Sequence, residues 1–172
     1  VYFRSKSKEK TVGSTMARVG GWCAVVLGSL ILNAAANAAS EQPNFVIVMA
    51  DDLGYGDLGV YGSKLIKTPN LDRMALKGAR FDSFYSSANV CTAARGGLLT
   101  GRYPIRLGLV NDVARPTNEI HLAEEEITIA EALQPLGYRT GIFGKWHLGS
   151  RVEWSPLHAG FDTYYGVLHS ND

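Results

Sequence analysis

Six consecutive apolar residues, FVIVMA at positions 45–50, constrain the fold more than any other feature of the sequence. Pro43 stands two positions before the run, and the acidic Asp51 follows it directly. An uninterrupted apolar run of this length is typical of a strand buried on both faces, as in a parallel sheet covered by helices. We therefore expect an α/β fold with this strand inside the sheet.

Helix signals recur after this run. Thr68 and Pro69 predict a helix start, Gly78 predicts its end, and its spacing predicts a buried stripe of Leu71, Met74 and Ala75. A second helix is expected from Cys91 to a stop at Gly101, through a stretch of small residues. Residues 128–136 have helical spacing and are followed by Gly137, which predicts a third helix.

Further strands are predicted around these helices. Residues 79–85 alternate apolar and polar side chains, which predicts a second strand, and residues 139–143 are expected to form a third, whereas residues 102–126 read as a loop. Alternating strands and helices predict an α/β sandwich around a mostly parallel sheet. Ligands bind at the carboxyl ends of the strands in such sheets.

The amino-terminal residues predict export. Residues 1–15 are expected to be an upstream extension without a structural role, and residues 16–38 read as a signal peptide: a basic start, an apolar core and the small-residue pattern ANA at 36–38. The apolar core is too short for a stable membrane anchor. The exported domain is then 39–172. A net charge of +1 gives no reason to expect nucleic acid as a partner.

Signal-peptide removal would take away Cys23 and leave Cys91 as the only cysteine. An unpaired thiol is unusual in an oxidising compartment. Cys91 lies at the predicted start of a helix with Arg95 four residues later, and both features lower a thiol pKa and attract anions. On these residues alone, a structural cysteine with a solvated arginine is an equally good interpretation.

Two further pairs of polar residues follow predicted strands. Asp51 and Asp52 are adjacent carboxylates, which suit a hard divalent cation but are also common in turns. In an extended segment, Lys145 and His147 would point to one side, which suits an anionic tetrahedral substrate. Surface positions are the alternative for this second pair.

Four ordered motifs connect these residues: PNFVIVMADDLG at 43–54, TPNLD at 68–72, CTAAR at 91–95 with LTGRYP at 99–104, and GKWHLG at 144–149. Together they resemble the amino-terminal half of the arylsulfatase family, within the alkaline-phosphatase-like superfamily. The resemblance implies an α/β alkaline-phosphatase/sulfatase-like fold, incomplete in this chain, and hydrolysis of sulfuric esters of small molecules or glycans.

The resemblance also assigns roles. A separate maturation enzyme would oxidise Cys91 to Cα-formylglycine, whose hydrated form is the nucleophile. Asp51, Asp52 and residue 91 match ligands of Ca²⁺, with Mg²⁺ as an alternative. The remaining matches are Arg95 to the residue that holds the hydrated aldehyde, Lys145 and His147 to sulfate-binding and acid/base positions, and Ser170 to a serine near the sulfate.

The sequence departs from the family pattern at Ala93 and Ala94, where family motifs usually carry proline and often serine. Two alternatives therefore stay open: a phosphate or phosphonate ester hydrolase of the same superfamily, and an inactive exported anion-binding homologue. Family members are longer, so an Asp–Asn pair of metal ligands and a further histidine are expected beyond residue 172. Loop 107–125 is expected to contact the sulfated alcohol.

Overall fold

The structure is a computed structural model and describes residues 1–5, 42–110 and 112–170. The predicted signal peptide at 16–38, Cys23 and the last two residues lie outside the described residues. Within the described residues, no helix is both long enough and apolar enough to span a membrane.

Four strands form one sheet. They are β1 (Tyr2–Ser5), β2 (Phe45–Val46), β3 (Tyr138–Lys145) and β4 (Thr163–Val167), in the spatial order β2-β1-β3-β4. β1 is antiparallel to both β2 and β3, and β3 is parallel to β4. β2, β3 and β4 therefore run in the same direction, and β1 alone of the described strands runs against them.

β1 was not expected, because it falls within residues 1–15. Phe3 is fully buried between the neighbouring strands, and the amino group of Val1 donates a hydrogen bond of 2.8 Å to the carbonyl of Ile47. The expectation that residues 1–15 have no structural role is therefore wrong for Tyr2–Ser5. The domain boundaries after residues 15 and 38 stay predictions, since residues 6–41 are not described.

The apolar run at 45–50 is less regular and less buried than its sequence predicts. Only Phe45–Val46 form a strand, and the side chain of Val48 is 86% exposed. The expected burial on both faces is wrong in this structure because β2 is an edge strand of the described sheet. An apolar strand at an open edge has unpaired backbone groups and uncovered side chains.

Three α-helices were predicted, and all three are present. They are α1 (Pro69–Lys77), α2 (Cys91–Thr100) and α3 (Ile129–Leu133). A 3₁₀ turn, Gln134–Leu136, prolongs α3 as far as Gly137. The buried stripe predicted for α1 is wrong, because no residue of that helix is buried and Met74 is 67% exposed.

Residues 79–85 form no strand, although they lie within the described part of the chain. This segment pairs with none of the described strands, so its alternating pattern produces no strand. Phe81 and Phe84 contact each other at the surface. The remaining short helices are 3₁₀ turns: Tyr55–Asp57, Gly59–Tyr61, Pro104–Leu107, Val152–Trp154 and Pro156–His158.

The core packs α2 and α3 against the sheet, and one buried cluster contains Ala93 of α2, Ala130 of α3 and Ile142 of β3. α2 can approach closely because its buried face is built of small residues; a Cβ atom added to Gly96 would lie 2.7 Å from Leu109. Trp146 and Leu148, which follow β3, are buried in the same cluster. This packing holds the first residue of α2, Cys91, near the carboxyl ends of the parallel strands.

Candidate active site

The carboxylate of Asp51 lies between two cationic side chains, those of Arg95 and Lys145. Arg95 Nη2 is 3.1 Å from Asp51 Oδ1, and Lys145 Nζ is 2.9 Å from Asp51 Oδ2. The hydrogen bond from Lys145 is the main cause that lowers the pKa of Asp51, and Arg95 contributes in the same direction. Asp51 is therefore ionised at neutral pH, and the three side chains together carry one net positive charge.

Arg95 joins α2 to the end of β3. Its Nη1 donates a hydrogen bond of 2.6 Å to the carbonyl of Lys145, and its side chain is mostly buried. The Nε atom is buried and has no hydrogen-bond partner among the described residues. A buried guanidinium nitrogen without a partner is costly, and an oxygen of a bound anion would satisfy it.

Lys145 connects Asp51 to the end of β4. Its Nζ donates a hydrogen bond of 3.1 Å to Ser170 Oγ, and its side chain is 15% exposed. Ser170 follows β4 by three residues, so strands β3 and β4 both supply polar groups at their carboxyl ends. Sequence position alone predicts this arrangement for a parallel pair.

The side chain of His147 is almost fully buried, at 2% exposure. Its backbone has φ 61°, so β3 does not continue through it as the extended-strand prediction assumed. Burial lowers the pKa of the imidazole, and the nearby charge of Lys145 lowers it further. The neutral imidazole therefore predominates at pH 7, and its Nδ1 has no partner among the described residues.

Cys91 opens α2 and shares a cavity of about 690 Å³ with His147 and Ser170. Its side chain is partly buried, and it forms no disulfide with any described residue. The first backbone N–H groups of a helix attract negative charge. A second cavity, of about 480 Å³, lies beside Asp51, Arg95 and Lys145 and has mainly apolar walls.

Asp52 is exposed and follows Asp51 with φ 58°. Asp52 and His147 are the two non-glycine residues with positive φ among those that the structure describes. Such conformations cost energy and cluster at functional sites. The described residues contain no group of three or more His, Cys, Asp or Glu side chains that could hold a metal ion.

Thr92 was not predicted as part of the site. Its hydroxyl is fully buried, donates to the carbonyl of His147 at 2.9 Å and accepts from the backbone N–H of Ala114 at 3.0 Å. These two hydrogen bonds connect the start of α2 to His147 and Ala114, which line the same cavity. No local sequence signal reveals this role, because both partners are more than 20 positions away in the chain.

The sheet and the cationic site at its carboxyl edge define an α/β protein that can hold an anion. A sequence model of the sulfatase family matches residues 43–172. The chain belongs to the sulfatase family.

Individual relatives agree with this assignment. The chain is 48% identical over 147 residues to Arylsulfatase A of Homo sapiens, which covers 84% of this chain and 29% of the relative. It is 44% identical over 163 residues to N-acetylgalactosamine-6-sulfatase of Rattus norvegicus, covering 91% of this chain and 31% of that protein. The chain thus spans less than a third of the length of these relatives.

A solved structure confirms the fold class. The crystal structure of Ps i-CgsB in complex with k-i-k-neocarrahexaose superposes with a TM-score of 0.66 at 38% sequence identity, over 70% of this chain and 27% of that one. The predicted α/β sulfatase-like fold, incomplete here, is therefore confirmed. The roles predicted for the individual site residues stay predictions.

Proposed function

We propose that this chain is the amino-terminal part of an exported sulfuric ester hydrolase whose nucleophile derives from Cys91. The observation that carries the proposal is the shared cavity of Cys91, His147 and Ser170, which Lys145 adjoins through its hydrogen bond to Ser170. Arg95 and Lys145 themselves line the second cavity, beside Asp51. An anionic tetrahedral group in this cavity would meet positive charge and hydrogen-bond donors on one side and the helix amino terminus on the other.

Arg95 and Lys145 bind the oxygens of the sulfate group in this proposal. Both already donate hydrogen bonds to Asp51, and both side chains are mostly shielded from solvent, which strengthens their interaction with an anion. His147 accepts the proton of the attacking hydroxyl, because its lowered pKa keeps the imidazole neutral at pH 7. Lys145 Nζ donates a hydrogen bond to the departing ester oxygen.

Oxidation of Cys91 to Cα-formylglycine by a maturation enzyme is part of the proposal. The hydrated aldehyde supplies one hydroxyl to attack sulfur and a second whose oxygen re-forms the carbonyl as sulfate leaves. An ordinary serine at this position has no second hydroxyl. The position of Cys91 at the helix start and at the cavity wall supports this role.

The residues present fit a divalent cation in their donor chemistry. Asp51 is ionised and Asp52 adds a second exposed carboxylate, and hard cations such as Ca²⁺ or Mg²⁺ prefer oxygen ligands. When bound, such a cation neutralises negative charge on the sulfate oxygens and on the nucleophile. Two aspartates and residue 91 are fewer than the six to eight ligands typical of Ca²⁺. We therefore propose that an Asp–Asn pair beyond residue 172 completes the ligand set.

The substrate class in this proposal is a sulfate ester of a glycan or a small alcohol. The similar proteins include an N-acetylgalactosamine-6-sulfatase and a protein solved with a neocarrahexaose. The cavity beside Cys91 has the volume of sites that hold a whole small molecule rather than an isolated sulfate. The signal peptide predicted at 16–38 would export the enzyme to the periplasm or the medium.

Mass spectrometry tests the nucleophile. The full-length protein is co-expressed with a formylglycine-generating enzyme and digested with trypsin. The peptide of residues 81–95 is expected about 18 Da below the mass calculated with cysteine. Cys91→Ala is the matched control, since its peptide cannot carry the change. A wholly intact thiol in an active enzyme would overturn the formylglycine assignment.

Activity is measured on the same samples with 4-nitrophenyl sulfate and 4-nitrophenyl phosphate. We expect turnover of the sulfate ester and its loss in Cys91→Ala. Preference for the phosphate ester would assign the chain to another reaction of the same superfamily, and no turnover of either ester by modified protein would contradict an enzymatic role.

A further inference from the structure

The cavity beside Cys91 has a second wall that sulfate binding does not use. This wall is the segment 113–117, and His169 and Ser170 also line the cavity. The lining residues of this cavity include the basic Arg115 and no aspartate or glutamate among the described residues. A cavity lined by cationic and neutral groups, with a volume of about 690 Å³, favours a ligand that is larger than sulfate and carries more negative charge.

The backbone that carries Arg115 is fixed relative to the nucleophile. The N–H of Ala114, which is fully buried, donates to Thr92 Oγ1, one residue after Cys91. On the other side, the N–H of Arg115 donates to Asn118 Oδ1 at 3.0 Å, and Asn118 Nδ2 donates to the carbonyl of Val113 at 2.9 Å. Arg115 is therefore anchored from both sides at a set position along the cavity wall.

The guanidinium of Arg115 is available to a ligand. Its side chain is 51% exposed, and its Nη1 pairs with the exposed carboxylate of Asp112. Exposed ion pairs of this kind are weak and exchange readily with other anions. A guanidinium has five N–H donors in a planar fork, which bind sulfate or carboxylate oxygens in pairs.

We propose that Arg115 forms a second anion subsite in this cavity and selects sulfate esters whose alcohol carries a further anionic group, either a second sulfate or a carboxylate. The inference rests on the proposed function, since the first sulfate must lie at Cys91. Arg115 is a specificity residue in this scheme and takes no part in breaking the ester bond.

Three substrates in two comparisons separate this role from catalysis. The first is 4-nitrophenyl sulfate, which has one anionic group, and the second is a disaccharide disulfate compared with the same disaccharide monosulfated at the scissile position. In the full-length protein, Arg115→Gln is expected to lower kcat/KM for the disulfate roughly tenfold, through KM, because a charge-assisted hydrogen bond is lost. Turnover of the two monosulfates should stay within about twofold of the unsubstituted enzyme.

Two variants act as controls. Arg115→Lys keeps the charge and should retain part of the disulfate preference. Arg139→Gln removes an equal charge at the other end of β3, roughly 20 Å along the strand from Lys145, and should leave kcat/KM unchanged for all three substrates.

The outcomes distinguish this inference from the proposed function. If the unsubstituted enzyme cleaves 4-nitrophenyl sulfate but Arg115→Gln lowers kcat/KM equally for all substrates, or for none, the second subsite is wrong and the sulfatase proposal stands. If modified enzyme cleaves no sulfate ester, the proposed function fails and the subsite fails with it.

Discussion

Single hydrogen bonds of Thr92 fix the backbone around the proposed catalytic groups. Thr92 follows Cys91 directly, and its one hydroxyl satisfies both the carbonyl of His147 and the N–H of Ala114. Both bonds are buried, so neither group can turn to water when the hydroxyl is removed. The residue next to the proposed nucleophile therefore positions the backbone of His147 and the opposite cavity wall at once.

Replacing this hydroxyl should weaken both the fold and the site. Thr92→Val keeps the side-chain volume but leaves a buried N–H and a buried carbonyl unpaired. We expect a free energy of unfolding lower by about 1–3 kcal/mol, together with a lower kcat because His147 is less well positioned. Urea unfolding and sulfate ester turnover of the full-length protein measure these two effects.

Thr92→Ser is the matched control, since it retains the hydroxyl and loses only a methyl group. It should remain closer to the unsubstituted protein than Thr92→Val in both measurements. Equal losses in the two variants would mean that packing of the methyl group, rather than the hydrogen bonds, determines the effect.

Among the secondary-structure elements, the β3–β4 pair carries the site. Gly144 and Gly166 lie opposite each other in this pair, immediately before Lys145 and Val167. A Cβ atom on Gly166 would collide with the backbone of Gly144. The close approach of the two backbones sets where Lys145 and Ser170 meet.

Gly166→Ala should therefore separate the two strands. Because the collision is with backbone atoms, no side chain can rotate away, and we expect a loss of about 1–3 kcal/mol in the free energy of unfolding. Gly56→Ala is the control, since nothing lies within 4 Å of a Cβ atom there. Thermal unfolding of the full-length variants compares the two; equal stability would contradict the strand geometry.

Local signals in the sequence predict the helices better than the strands. The helix from Cys91 ends at Gly101, which has φ 66°, and α3 begins at Thr128 with a capping box to Glu131, so both depend on residues within a few positions. Burial of residues 45–50 depends on neighbouring strands, which no local pattern reveals. The strand predicted from the alternation at 79–85 is absent for the same reason, because strand formation depends on neighbouring strands.

The site was predictable where it follows strand ends. Asp51, Lys145 and Ser170 meet because parallel strands end at one edge of a sheet. Thr92 was missed because its role depends on contacts with residues that are distant in the sequence. The conformation of His147 was also missed, since the GKWHLG motif does not reveal a positive φ.

The molecule as a whole exposes an apolar edge. Val46, Val48 and Met49 are 66%, 86% and 40% exposed, and they belong to the run that the sequence predicts to be buried. The chain spans 29% of the length of Arylsulfatase A of Homo sapiens. We expect further strands of the full-length enzyme to cover this edge.

Val48→Lys tests this expectation. In the full-length protein the new charge would be buried, and we expect a loss of more than about 2 kcal/mol in stability and a lower soluble yield. Leu65→Lys is the control, because Leu65 is 94% exposed and lies outside every strand of the described chain. Urea unfolding measures the free energy of unfolding of both variants. Equal losses in Val48→Lys and Leu65→Lys would mean that this edge stays open to solvent in the full-length protein.

Removal of the predicted leader would change the architecture of the sheet, because β1 lies amino-terminal to the predicted cut. A cut after Ala38 would release Tyr2–Ser5 along with the leader, and β1 is the strand that separates β2 from β3. The gap left behind is one strand wide, between two strands that run in the same direction. With that cut, the precursor and the processed protein would differ at the centre of the sheet, where β2 and β3 would be left without the strand between them.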